Sequence, residues 1–112
     1  MNISTNKEEN YSVVTVLSEK LDALIAPELK SALVLANKEG EKNIIVDLAK
    51  ARYCDSSGLS AILVGNRLCK EAGGKFAITG LQPTVKKVIS IAQLDKVLNI
   101  TADVSEAATI MA

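Results

Sequence analysis

The chain has no histidine and no tryptophan, and only one phenylalanine, two tyrosines and two cysteines among 112 residues. Without histidine there is no Ser-His or Cys-His nucleophile pair, and the commonest general base and metal ligand are both gone. With so few aromatic rings there is little on which to stack bases, sugars or flat cofactors. Net charge is missing too, since 13 basic residues balance 13 acidic ones. No chain-wide field therefore draws in nucleic acid or anionic lipid. No stretch approaches the roughly 18 to 20 apolar residues of a membrane span, and Met1 to Asn6 lacks the apolar centre of a signal peptide. A soluble protein that stays in the cytoplasm is expected. Cys54 and Cys69 form no CxxC pair and read as inert thiols in a reducing compartment. The glycine-rich phosphate loops GxxxxGK[ST] and GxGxxG are also absent, so no nucleotide or other cofactor is expected.

What is present is aliphatic and periodic. The hydrophobic fraction of 48% is enough for one core, and the length predicts a single domain over residues 1–112. Ile3 to Thr5 and Ser12 to Leu17 flank a polar turn and predict an antiparallel hairpin. After a loop through Lys20 to Asp22, Pro27 opens a helix. Leu29, Ala32, Leu33 and Ala36 give it an apolar face, and Gly40 ends it. Asn43 to Leu48 is short, continuous and β-branched, as in a strand buried on both faces, and is expected at the centre of the sheet. A second helix is predicted from near Ser57 to about Glu71, stopped by Gly73-Gly74. Lys75 to Thr79 reads as a strand. Pro83 opens a third helix with Val85, Val88, Ile89 and Ala92 on one stripe and Lys86, Lys87 and Ser90 in water. Lys96 to Thr101 gives a last strand, and Asp103 with Glu106 begins a capping-box-like terminal helix reaching Ile110.

The order ββαβαβαβα predicts an α/β, mixed-sheet α+β sandwich, mostly parallel with an antiparallel N-terminal edge strand. Loops after parallel strands gather at their carboxyl ends. The loops at Asp22, at Arg52 to Gly58 and at Gly80 to Gln82 are therefore expected to be neighbours. Asp22, Asp47 and Asp55 lie nearest that edge. Three carboxylates there are a weak candidate for a divalent cation, with a structural role for Asp47 as the competing account.

The polar segment Tyr53-Cys54-Asp55-Ser56-Ser57-Gly58-Leu59 stands between a buried strand and an aliphatic helix. One reading is purely structural: Ser56 or Ser57 is the N-cap, and Asp55 complements the helix dipole. The other uses the same physics for a switch. A helix N-terminus accommodates an added phosphate of about −2, whose charge beside Asp55 and Asp22 blocks a docking partner. The helix that follows is apolar on two sides, Leu59, Ile62, Leu63 and Cys69 on one and Ala61, Val64 and Leu68 on the other. The second side either packs on a neighbouring helix or is exposed to a partner.

Asp55-Ser56-Ser57-Gly58-Leu59, followed by an aliphatic helix ending at Gly73-Gly74, resembles the STAS domain of bacterial anti-sigma-factor antagonists. Leu21-Asp22, Ile44 to Leu48 and Pro83 to Val88 extend the likeness over nearly the whole chain. The resemblance implies a non-enzymatic protein that binds a serine-kinase anti-sigma factor when unphosphorylated and so releases the sigma factor for transcription. It implies that the kinase phosphorylates Ser56, with Ser57 the lesser candidate, and that a metal-dependent serine phosphatase reverses the step. ATP and magnesium belong to the kinase. Asp22, Asp55, Ser57, Gly58, Leu59 and Val64 are carried over as the partner surface, on a chain expected to be monomeric when free. Two positions depart from the family pattern: Leu17 to Asp22 lacks the usual glycine before Glu-Leu-Asp, and a common glycine before the last strand's leucine is Gln93. An alternative keeps the fold but makes the chain a non-catalytic accessory subunit of a transporter or signalling complex.

Overall fold

A computed structural model describes residues 2–111; Met1 and Ala112, the ends of the expected 1–112 unit, lie outside the described residues. Strands β1 (Ile3–Lys7) and β2 (Ser12–Val16) form the expected hairpin, in register from Ile3 opposite Val16 to Lys7 opposite Ser12. Helix α1 (Ala26–Lys38) carries Pro27 in its first turn, where a missing amide costs nothing. The short strand β3 (Lys20–Leu21) precedes α1; after it come β4 (Ile44–Asp47), the short β5 (Tyr53–Cys54), α2 (Ser56–Glu71), β6 (Phe76–Thr79), α3 (Pro83–Ile91), β7 (Asn99–Thr101) and α4 (Val104–Met111). The five-stranded sheet runs β1-β2-β4-β6-β7, antiparallel only between β1 and β2. β4 is its central strand, as the unbroken Ile44-Ile45-Val46 run predicts, and all three side chains are buried.

The alternation of the strands sorts the core into two layers. Val14, Val16, Ile44, Val46, Phe76 and Ile78 face α1, α2 and α3 and form the larger cluster with Leu29, Leu33, Ile62, Val85 and Ile89. On the reverse face Val13, Ile45 and Ala77 meet Ala107 and Met111 of α4. Helix α2 ends in a Schellman motif, the Gly74 amide donating to the Cys69 carbonyl at 2.8 Å across Gly73 at φ +79°.

Four details differ from the sequence expectation. Lys20–Leu21 (β3) and Tyr53–Cys54 (β5) pair as a separate parallel two-stranded ribbon where a loop was expected, because two residues are too few to carry an alternating pattern. The last strand begins at Asn99 instead of Lys96, because Leu94–Lys96 coils into a 3₁₀ turn. Ala92 leaves the apolar stripe of α3, becoming its exposed C-cap. At α4 the Glu106 amide donates to Asp103 Oδ1 at 2.8 Å, but Glu106 Oε2 takes the Ala102 amide, so the box is shifted by one residue.

The 3₁₀ turn starts from Gln93 at φ 61° and ψ 24°, a left-handed conformation that an L side chain resists and glycine adopts freely. Gln93 is thus the place where the chain carries a side chain at a glycine-favouring turn. Gln93→Gly is expected to stabilise the protein by about 0.5 to 1 kcal/mol, the relief of the left-handed strain less the entropy of glycine. The urea midpoint checks this; a lower midpoint would mean that the Gln93 side chain contributes more than its backbone strain costs.

Candidate functional site

The β3–β5 ribbon brings two loops together. Lys20 lies opposite Tyr53 and Leu21 opposite Cys54. The Glu19 carbonyl accepts from the Arg52 and Tyr53 amides at 2.7 and 3.2 Å, and the Leu21 carbonyl from the Asp55 amide at 3.3 Å. The loop that lacks a glycine before Asp22 is shaped instead by Ser18, whose Oγ accepts from the Lys20 amide at 3.2 Å. Asp22 and Asp55 consequently line one open concavity of about 430 Å³, flanked by the exposed side chains of Leu24 and Tyr53. The Gly80 to Gln82 loop reaches only the start of the serine segment's connection: Gln82 Nε2 donates to the Ala49 carbonyl at 2.6 Å. Two of the three loops expected to be neighbours therefore meet at the serines, and the third braces them from behind.

Asp55, not Ser56 or Ser57, is the N-cap of α2. Its backbone is extended and its Oδ1 accepts from the Gly58 amide at 3.1 Å. The carboxylate is the stronger acceptor for an amide at the positive end of the helix, and it wins that place from the serines. Ser56 is thereby left as the first helical residue, exposed, and Ser57 as the second, half-buried. Both stand where helix amides and the dipole favour negative charge.

Gly58 and Leu59 look inward. Gly58 is buried, and a Cβ built on it would lie 2.4 Å from the Leu21 carbonyl oxygen and 2.8 Å from Cys54 Sγ. Leu59 is half-buried and packs on the main core. These two carried-over partner residues thus seat the helix, while Asp22, Asp55, Ser57 and Val64 line the surface. The two apolar sides of α2 divide similarly. Ile62 and Cys69 are buried in the interior, while Ala61 is buried and Gly65 lets α2 approach Leu33 of α1 and Phe76 of β6. Val64 is only half-buried and lines a groove of about 370 Å³ between α1 and α2, with Ala23, Pro27, Lys30 and Ser57. Helix packing and exposure each claim part of that side.

The three candidate carboxylates are each turned onto their own backbone. Asp22 Oδ1 accepts from the amides of Leu24 and Ile25, Asp47 Oδ1 from Ala49, and Asp55 Oδ1 from Gly58. Among the described residues no three Cys, Asp or Glu side chains are grouped to hold a metal ion. Both thiols are free and buried. Burial, with a smaller push from the Asp55 carboxylate, raises Cys54 to about 11; burial raises Cys69 to about 11 against a partly opposing backbone hydrogen bond at Ile44.

A five-stranded mixed sheet with three helices on one face, one on the other, and a serine-bearing helix start behind a capping aspartate define an α/β sandwich domain. The chain belongs to the STAS domain family, which it matches over residues 2–107. Among curated proteins it is 27% identical over 100 residues to an anti-sigma-B factor antagonist of Staphylococcus epidermidis, covering 89% of this chain and 92% of that one. Its fold is shared with an anti-sigma-factor antagonist (STAS) domain protein from Planctomyces limnophilus, at a TM-score of 0.86 and 21% identity, covering 98% and 97% of the two chains. It is shared also with the Bacillus cell fate determinant SpoIIAA in its phosphorylated form, at 0.74 and 17%, covering 96% and 98%. Among the described residues no helix is long and apolar enough to cross a membrane.

Two predictions follow from the packing around α2. Gly58→Ala is expected to destabilise the fold by about 1 to 3 kcal/mol, the range for overpacking, since the new methyl meets backbone at Leu21 and cannot be relieved by a rotamer change. Chemical denaturation measures this, and an unchanged midpoint would mean that β3 and α2 move apart freely. The thiols predict an alkaline weakness. In the unfolded chain they ionise near 9.0 and in the folded chain near 11, so the native state holds more protons between those values. Stability is therefore intact below about pH 9 and declines as pH rises toward about 11. Urea midpoints at about pH 8 and about pH 10.5 should fall less for the Cys54→Ala, Cys69→Ala double variant than for the parent.

Proposed function

We propose that this chain is an anti-sigma-factor antagonist that works by partner switching. In its unphosphorylated form it binds a serine-kinase anti-sigma factor and frees the sigma factor; phosphorylation of Ser56 breaks that complex. The observation that carries the reading is the placement of Ser56, exposed at the first position of α2 on a cap that Asp55 supplies. An acceptor hydroxyl has to reach another protein's nucleotide, and a side chain already spent on capping its own helix is poorly placed to do so. Ser57, half-buried at the groove between α1 and α2, is the lesser candidate.

The reading is also supported by the names of its relatives: anti-sigma-B factor antagonists among curated proteins, and SpoIIAA solved both unphosphorylated and phosphorylated. A phosphate on Ser56 adds a charge of about −2 beside Asp55, the residue before it and the cap of the helix, on a helix end whose amides tolerate it. The domain need not refold to accept it. The partner instead meets a bulky, doubly charged group where a small hydroxyl stood, directly beside the nucleotide phosphates from which the group was transferred. On this reading the chain performs no catalysis; kinase and metal-dependent phosphatase supply the chemistry. It is a monomer when free and acts in the cytoplasm.

Replacing Ser56 separates the parts. Ser56→Ala is expected to bind the serine-kinase anti-sigma factor of the same cell about as well as the unphosphorylated parent and to take up no phosphate from ATP. Ser56→Asp is expected to bind at least about tenfold more weakly, a penalty of about 1.4 kcal/mol. Calorimetric titration and phosphosite mapping read both. Equal affinity of the two variants, or phosphate mapped away from Ser56, would remove Ser56 as the switch.

A further inference from the structure

The groove beside Ser57 does not stop at the serines. Lys30 closes it on the α1 side and also borders a second shallow concavity of about 340 Å³ along α1, lined by Ser31, Val34, Leu35 and Lys38. The two depressions therefore form one continuous surface running from the start of α2 down the outer stripe of α1. Its middle is apolar, with Leu35 57% exposed and Val34 half-buried. Its charge is of one sign. The ion pairs among the described residues are Lys7 with Glu41 and Arg52 with Glu19, so among those residues neither Lys30 nor Lys38 has a carboxylate partner.

Each feature has an ordinary account when taken singly. Scattered apolar residues are normal on a surface, and Lys38 in the last turn complements the dipole of α1. The dipole does not account for Lys30, which lies in the first half of the helix. Nor does it account for an exposed leucine between two unpaired ammonium groups. Lys30 and Lys38 are eight positions apart, about 12 Å along the axis at 1.5 Å per residue.

We infer that this stripe of α1 is a docking surface for an acidic, amphipathic segment of the serine-kinase anti-sigma factor. That segment carries two carboxylates, one for Lys30 and one for Lys38, around an aliphatic side chain that covers Leu35. The inference rests on the anti-sigma reading given above and adds to it a recognition element separate from the phosphorylated serine. Charge complementarity selects the occupant: an acidic segment is attracted, a basic one repelled, and an uncharged one leaves both lysines without partners.

The test is charge reversal. Lys30→Glu, Lys38→Glu is compared with Lys86→Glu, Lys87→Glu, which makes the same change of net charge on exposed positions of α3. Affinity for the purified serine-kinase anti-sigma factor of the same cell is measured at low and high salt, with melting temperature as the control for folding. The α1 variant is expected to bind about tenfold more weakly, with the loss greatest at low salt, and the α3 variant to bind like the parent. Leu35→Ser, neutral in charge, is expected to weaken binding at both salt concentrations alike. Parent binding with the α1 and Leu35 variants unaffected overturns the inference and leaves the anti-sigma reading standing. Equal weakening by the α3 variant also overturns it, because the effect is then general charge. A parent chain that neither binds the kinase nor accepts phosphate overturns both. Should light scattering show a dimer of the parent that charge reversal on α1 dissolves, the stripe belongs to a second copy of this chain and the inference falls.

Discussion

The site depends on one close approach: the first turn of α2 sits directly on the backbone of Leu21. There is no room for a Cβ at Gly58, whose place is filled by the Leu21 carbonyl and the Cys54 sulfur. Because that carbonyl also accepts the Asp55 amide, the loop before α1 and the loop before α2 are held as one body. The two-residue strands β3 and β5 are the visible part of this lock. They lie outside the main sheet and bury Leu21 and Cys54 beneath the serines. Asp22 and Asp55 thus face the same concavity although 33 positions separate them in the sequence.

That lock decides which groups are free to act. Asp55 is extended and anchored at its amide, so its carboxylate falls naturally on the Gly58 amide. Once the cap is an aspartate, neither serine hydroxyl is needed for the helix start. Asp22 does the equivalent work before α1, receiving the amides of Leu24 and Ile25. The acidic residues are the structural parts of this site, and the exposed Ser56 is left without a capping task. This inverts the simplest expectation from residue types, in which a serine caps and an aspartate adds field.

Much of the fold was legible because its segments are either strictly periodic or continuously apolar. The run Ile44-Ile45-Val46 identified the central strand, and Pro27, Gly73-Gly74 and Pro83 marked helix ends through backbone chemistry that tertiary contacts do not alter. The misses fall where the determining contact is distant in sequence. A two-residue strand has no period, so β3 and β5 exist only through each other. The identity of the cap turned on Asp55 being held by Leu21, and the inward role of Gly58 on the same distant residue. Gln93 was marked as a departure from a family glycine, but its left-handed backbone became visible only in the turn that delays the last strand. Leu59 carried no local sign of whether it faced a partner or the core.

A chain of zero net charge has to be recognised through local arrangement, and here that arrangement is set by helices packed on one sheet. Small Gly65 lets α2 lie close to Leu33 of α1 and Phe76 of β6, so the serine at the start of one helix and the lysines along the other keep a fixed relation. Charge added at Ser56 acts mainly within the screening length of about 8 Å at physiological salt. It therefore alters the helix start strongly and more distant parts of the surface weakly. Under the proposed reading, the domain presents a constant recognition stripe beside a variable one. On that reading the change of state needs a single added group and no rearrangement of the core beneath it.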